Sequence, residues 1–259
     1  MKLSVTDHLS VSILGTSVAA LSRDEAVDKV LEFAKAGDRA YAVEAADTHV
    51  VTRARHEPDF GGSVRCFDLI CPDGMPLIWQ INRSGVTQLH ERVSGAELML
   101  ETIRRSSEDD SLGGHFFLGG SEALLSDLES AILRQVNEAK IAGSYSPPFG
   151  EWPAEEFERI CDKIKSSGAA FVWVGLGCPK QETWIAKHLS ELPAGVYFGI
   201  GAAFAFHAGH VQRAPQWMQN GGLEWVYRVI CEPRRLFKRY FKWNSLFAWY
   251  TLRAALLSS

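Results

Sequence analysis

What most restricts the fold of this chain is a recurring exchange between two hydrophobic periods. Short apolar runs alternate with longer amphipathic segments, each opened by capping residues. The runs Tyr41–Ala46, Phe67–Cys71, His115–Leu118, Ala139–Ala142, Ala170–Gly175 and Val196–Ile200 read as strands. Ser22-Arg23-Asp24-Glu25 and Ser94-Gly95-Ala96-Glu97 carry the capping-box pattern that starts a helix. Further helices are predicted near Thr48–Ala54, after Gly119-Gly120-Ser121, from Pro153 and after Pro179. Strands that alternate with helices join through crossovers, and the helices then cover both faces of the sheet. The order therefore predicts an α/β protein with a Rossmann-like, mostly parallel sheet. No repeat or linker interrupts it. One α/β domain over 1–232 and a helical C-terminal tail over 233–259 are expected.

Of 259 residues, 46% are hydrophobic, which is enough for one such core and excludes wholesale disorder. The formal net charge of -4 argues against a nucleic-acid partner. That charge is unevenly spread. Pro233–Ser259 contains no acid but six basic residues, Arg234, Arg235, Lys238, Arg239, Lys242 and Arg253, interleaved with aromatic and aliphatic side chains. A basic stripe beside aromatic bulk suits a helix lying in an anionic membrane interface; it also suits a helix packed on the body or across an oligomer interface. The apolar stretch Val196–Phe206 is too short to span a bilayer, and Met1–Gly15 lacks the pattern of a signal peptide. Five cysteines without Cys-x-x-Cys spacing fit thiols in a reducing compartment.

In open α/β sheets ligands bind beyond the carboxyl ends of the strands, so the turns there are the candidate site. Asp73, in Pro72-Asp73-Gly74, is either a general base for an approaching hydroxyl or a turn residue bonding backbone amides. Arg92 offers forked hydrogen bonds to a phosphate or carboxylate, or an ion pair with a neighbouring acid. Gly119, Gly120 and Gly177 lie between strand and helix, where backbone N–H groups approach anions. Lys180 is a candidate phosphate contact and Gln181 a sugar or base contact. Neither Gly175–Lys180 nor Gly199–Phe204 completes a dinucleotide fingerprint, and no Gly-Lys-Ser/Thr loop occurs. His207 and His210 have no third ligand nearby, so neither a metal nor a cofactor is expected.

The turns also form an ordered series. Cys71-Pro72-Asp73-Gly74-Met75-Pro76-Leu77 is followed by Glu91-Arg92-Val93-Ser94-Gly95, Phe117-Leu118-Gly119-Gly120 and Gly175-Leu176-Gly177-Cys178-Pro179-Lys180-Gln181-Glu182. Arg213-Ala214-Pro215, Gly222-Leu223-Glu224-Trp225-Val226-Tyr227-Arg228 and Glu232-Pro233-Arg234-Arg235 complete it. In this series the chain resembles the WecG/TagA/CpsF glycosyltransferases (glycosyltransferase family 26) from about Val11 to Tyr240. The Met75-Pro76-Leu77 extension is most similar to the exopolysaccharide-building branch.

The resemblance implies an inverting, metal-independent enzyme that moves a sugar from a UDP-sugar donor to a polyprenyl-diphosphate-linked acceptor. Its expected place is the cytoplasmic face of the inner membrane, with the tail against anionic lipid. It implies Asp73 as the base and places Arg92 and Gln181 in the site; Asp47, Gly119, Gly120, Gly177, Lys180, Glu182, Arg213 and Arg228 are the further candidate substrate-binding residues. Two positions depart from the family pattern. Ala45-Ala46-Asp47 stands where Thr-x-Asn is usual, and Ala205 stands where an Asp often follows the phenylalanine. A homo-oligomer is left open. The competing classes are a non-catalytic membrane-peripheral module that binds nucleotide or sugar, and a dehydrogenase, against which the broken glycine fingerprints count.

Overall fold

The computed structural model describes residues 6–257, apart from the side chains of Arg235, Ala255 and Leu257. Arg235, part of the predicted basic stripe, thus lies outside the described side chains. A hairpin comes first, β1 (Ser10–Ile13) against β2 (Thr16–Ala19). Its turn residues Leu14 and Gly15 both have positive φ, the backbone that two-residue hairpins require. The hydrophobic pattern gave no signal for these two short strands.

Six strands form one parallel sheet in the order β4-β3-β8-β7-β5-β6. They are β3 (Ala40–Ala46), β4 (Leu69–Pro72), β5 (Gly114–Leu118), β6 (Ile141–Tyr145), β7 (Ala169–Val174) and β8 (Gly195–Gly199). The Rossmann-like α/β architecture with helices on both faces is therefore present. Five strands lie within two residues of their predicted places. β6 lies two residues further on because every one of its residues is half-buried, so no apolar run marks it.

The helices are α1 (Arg23–Ala36), α2 (Thr48–His56), α3 (Pro58–Val64), α4 (Met75–Ser84), α5 (Gly95–Ser107), α6 (Glu122–Gln135), α7 (Ala154–Ser167), α8 (Lys180–His188) and α9 (Ala202–His207). Ser22 and Glu25 close a reciprocal capping box on α1. At α5 only half of the predicted box forms. Ser94 accepts from the Glu97 amide, but the Glu97 carboxylate turns away to Arg23 and Arg213. The region after β8 forms the short helix α9.

Two apolar clusters, one on each face of the sheet, make the core. Neighbouring strands β3 and β8 feed opposite faces: α2 buries Val50 and Val51 in one cluster, and α9 buries Ala203 and Phe204 in the other. The connections diverge at this point and leave a crevice beyond the strand ends.

Three C-terminal helices close over that crevice: α10 (Gln216–Asn220), α11 (Glu224–Cys231) and α12 (Pro233–Leu257). On α12, Leu236, Tyr240, Trp243 and Phe247 recur at helical spacing and are buried. Asn244 accepts from the Thr48 hydroxyl at 2.8 Å, and the Trp243 ring lies 5.5 Å from that of His49, so this face docks on α2. Phe237, Phe241, Trp249, Leu252 and Leu256 are exposed. Among the described residues no helix is long and apolar enough to cross a membrane.

Candidate active site

The crevice is a cavity of about 620 Å³. Its lining comes from the ends of β3, β4, β7 and β8, the start of α5, and all three C-terminal helices.

Asp73 stands at the end of β4. Its N–H donates to Ala46 O at 2.8 Å, which extends the pairing with β3 by one step. The 91–94 segment then runs alongside, with Val93 N–H donating to Pro72 O at 2.9 Å, and so sets Arg92 beside Asp73. Arg92 Nη1 donates to Asp73 Oδ1 at 3.0 Å, and Gly95 N–H, in the first turn of α5, donates to Oδ2 at 3.2 Å. Asp73 is thus a turn residue bonding a backbone amide, as one of its two readings expects. It accepts a backbone amide, and 24% of its side chain stays open in a cavity.

Burial pushes the Asp73 carboxyl up to about 6, against the pull of Arg92 and the Gly95 amide, and the Glu224 charge adds to the rise. Arg92 does not serve Asp73 alone. It also donates to Glu224 and, at 3.2 Å, to Gln219 Oε1. One guanidinium shared by two carboxylates neutralises neither fully.

Arg213 extends the network. It donates to Gln219 Oε1 at 2.7 Å and to Glu97 Oε1 at 3.1 Å, and lies 3.8 Å from Glu224. Gln219 Nε2 in turn donates to Ala214 O at 2.7 Å. Gln219 was invisible in the sequence, because a lone glutamine on a five-residue helix carries no pattern. Glu224 lay inside a quoted motif without an assigned role.

On the far side, Gln181 Oε1 accepts from the N–H groups of Gly177 at 3.0 Å and Gly201 at 3.2 Å. Gln181 Nε2 donates to Glu182 Oε1 at 3.0 Å. Gln181 thus ties the β7–α8 turn to the β8–α9 turn, and its polar atoms are engaged by protein. Asp47 caps α2 by accepting from Val50 N–H at 3.0 Å, and faces the cavity. Arg228 and Arg239 reach the cavity from α11 and α12, with the Arg228 guanidinium 5.2 Å from the Phe206 ring. The Nε of each is buried without a hydrogen-bond partner among the described residues.

Of the residues singled out from sequence, Asp73, Asp47, Arg92, Gly177, Gln181, Glu182, Arg213 and Arg228 line this one cavity. Three are not among its lining residues. Lys180 points away, donating to Gly150 O at 3.1 Å with its ammonium 4.3 Å from the Trp152 ring centre. Gly119 lets two turns touch: a Cβ there would sit 2.8 Å from the Gly175 carbonyl carbon, and its φ is +107°. Gly120 opens onto Leu124. Ala45 and Ala205, the two departures from the family pattern, both line the cavity. His207 contacts Ala96 O and His210 contacts Asp127, each at 2.8 Å. Among the described residues no three His, Cys, Asp or Glu side chains form a metal-holding group.

A parallel α/β sheet with a mixed-charge cavity at its carboxyl edge, floored by strand ends and roofed by C-terminal helices, is the frame of a protein that binds a small polar ligand. The sequence model of the glycosyl transferase WecG/TagA/CpsF family matches residues 11–259, essentially the whole chain. The chain belongs to this family and is a glycosyltransferase.

Proposed function

We propose that the chain is an inverting, metal-independent transferase. It moves a sugar from a UDP-sugar to a polyprenyl-diphosphate-linked saccharide at the cytoplasmic face of the inner membrane, in surface or exopolysaccharide synthesis. One observation carries this reading above the others. Asp73 is held by an amide and a guanidinium, yet stays open to a nucleotide-sized cavity, and burial pushes its carboxyl up to about 6. A general base works best when its pKa approaches the working pH.

In this mechanism Asp73 accepts the proton of an acceptor hydroxyl. The alkoxide oxygen forms a bond to the anomeric carbon as the bond to the UDP oxygen breaks on the opposite face. The leaving diphosphate needs positive charge, and preorganised cations in a cavity supply it without reorganisation. Arg92 and Arg213 are already paired with carboxylates, whereas Arg228 and Arg239 form no ion pair with a carboxylate among the described residues. The last two are therefore assigned to the diphosphate. Because Arg239 belongs to α12, docking of that helix completes the anion site. The exposed aromatics of α12, flanked by Lys238 and Lys242, are assigned to the lipid surface.

The test is release of UDP from a panel of UDP-sugars with a lipid-linked acceptor analogue on anionic vesicles, in the presence and absence of EDTA. Turnover insensitive to EDTA and lost in Asp73→Asn is expected. Turnover abolished by EDTA would remove the metal-independent mechanism, and full turnover by the variant would remove the assignment of the base.

A further inference from the structure

The proposed chemistry leaves two buried carboxyls unused. Glu44 on β3 is 1% exposed and Glu182 on α8 is fully buried, yet both line the cavity. In each, Oε2 is shielded from solvent and has no hydrogen-bond partner among the described residues. Buried polar atoms are nearly always paired, because an unmade hydrogen bond forfeits the hydration that burial removed. Two such orphans lining one cavity call for a ligand that satisfies them.

The surroundings are built around these oxygens. Glu44 pairs in register with Gly199 on β8, and a Cβ at position 199 would run into Glu44 Oε2. Glycine at 199 leaves that oxygen its room. The other oxygen of Glu182 accepts from Gln181, which the Gly177 and Gly201 amides hold in place. The carboxyls are therefore on rigid elements rather than loops.

The electrical environment narrows the ligand further. Burial, together with the charges of Glu182, Asp47 and Asp73, drives the Glu44 carboxyl well upward, and burial pushes Glu182 up to about 7. Each orphan Oε2 is free to accept from a hydroxyl, and burial disfavours the charged form of both carboxyls. Each alcohol of a vicinal diol is donor and acceptor at once, which is the complement of that set. A carboxylate or phosphate anion brings no hydrogen to these acceptor oxygens.

We infer that Glu44 and Glu182 form a hydroxyl-binding floor that takes a vicinal diol of the bound nucleotide sugar. This rests on the UDP-sugar reading above. The diol belongs either to the transferred sugar or to the ribose, and the experiment separates the two.

Isothermal titration of UDP and of UDP-glucose into wild-type protein, Glu44→Gln and Glu44→Leu tests it. Thermal melting of each ligand-free protein runs alongside. Glu44→Leu is expected to bind UDP-glucose about tenfold or more weakly, and Glu44→Gln to fall between, since the amide keeps a donor and an acceptor. Loss confined to UDP-glucose assigns the floor to the sugar ring; equal loss with UDP assigns it to the ribose. Without ligand, Glu44→Leu is expected to melt higher than wild type, because an unsatisfied buried polar group has gone. Wild-type affinity for both ligands in Glu44→Leu would overturn the inference. A fall in melting temperature alongside weaker binding would overturn it too, because the carboxyl would then be a structural strut. Wild-type protein that binds neither ligand would bring down the UDP-sugar reading and this inference with it.

Discussion

Arg92 donates to Asp73 Oδ1 at 3.0 Å while its other terminal nitrogen is held by Glu224 and Gln219. This division of one guanidinium limits how far Arg92 can hold down the Asp73 carboxyl, the proposed base. A cation at that distance ordinarily pulls a carboxyl down by one to three units. Here burial wins, with help from Glu224, and Asp73 stands near 6.

The ascending limb of kcat/KM against pH should therefore rise through about 6, as Asp73 loses its proton and becomes able to accept one. Arg92→Gln removes the largest influence holding that value down, so the limb should move to higher pH, and any fall in kcat should be partly recovered in alkaline buffer. Initial rates from pH 5 to 9 check both. A limb that stays in place in the variant would show that Asp73 is not the titrating group.

Asp73→Asn should lower kcat by about 10²–10⁴-fold, the usual weight of a positioned base, with UDP affinity nearly unchanged. The same substitution should stabilise the protein, with a sign that follows from linkage. The folded protein binds the Asp73 proton more tightly than the unfolded chain, where the value is about 3.8. The favourable contribution is complete below that value and is lost as pH rises through about 6, above which the charge opposes folding. The variant should thus melt a few degrees above wild type at pH 8, and the gap should close towards pH 4. Paired melting curves at the two pH values measure it.

The parts legible in the sequence were those with a local signature. Alternating periods gave the sheet and its crossovers, and Pro72-Asp73-Gly74 marked the site because turns after parallel strands face the ligand edge. Lys180 shows the limit of that logic. Its position in a turn motif was correct, but the side chain folds back on Trp152 and Gly150, contacts set by a loop some thirty residues away in sequence. Glu44 is the converse case. It sits mid-strand among apolar neighbours, where the sequence shows a single charge in a buried run and nothing of the Glu182 and Gly199 it meets across the fold. Gln219 and Arg239 likewise gain their roles only from the return of the C-terminal helices over the crevice.

Arg228→Ala and Arg239→Ala should each weaken UDP binding roughly ten- to hundredfold, the range for hydrogen bonds to charged groups, while uridine binding changes little. The loss should shrink as salt is raised, since screening weakens the native contact. Titrations with uridine, UMP and UDP at two ionic strengths separate phosphate from base effects. An equal loss for uridine would place the two arginines elsewhere than at the diphosphate.

The two faces of α12 should separate in mutagenesis. Trp243 is buried against His49, His56 and Arg53 of α2, so Trp243→Ala should cost about 3–5 kcal/mol and lower the melting temperature markedly. Phe241 and Trp249 are exposed, and replacing both with serine removes no core contact. That double variant should melt like wild type but sediment far less with anionic vesicles. Lys238→Gln and Lys242→Gln should each weaken vesicle binding by about 1 kcal/mol, close to fivefold, at low salt. Since Arg239 reaches the cavity from the same helix, the serine variant should also keep its affinity for UDP in solution while losing turnover on membrane-borne acceptor. Vesicle binding undiminished by the serine substitutions would show that this surface faces a protein partner or a second copy instead of lipid.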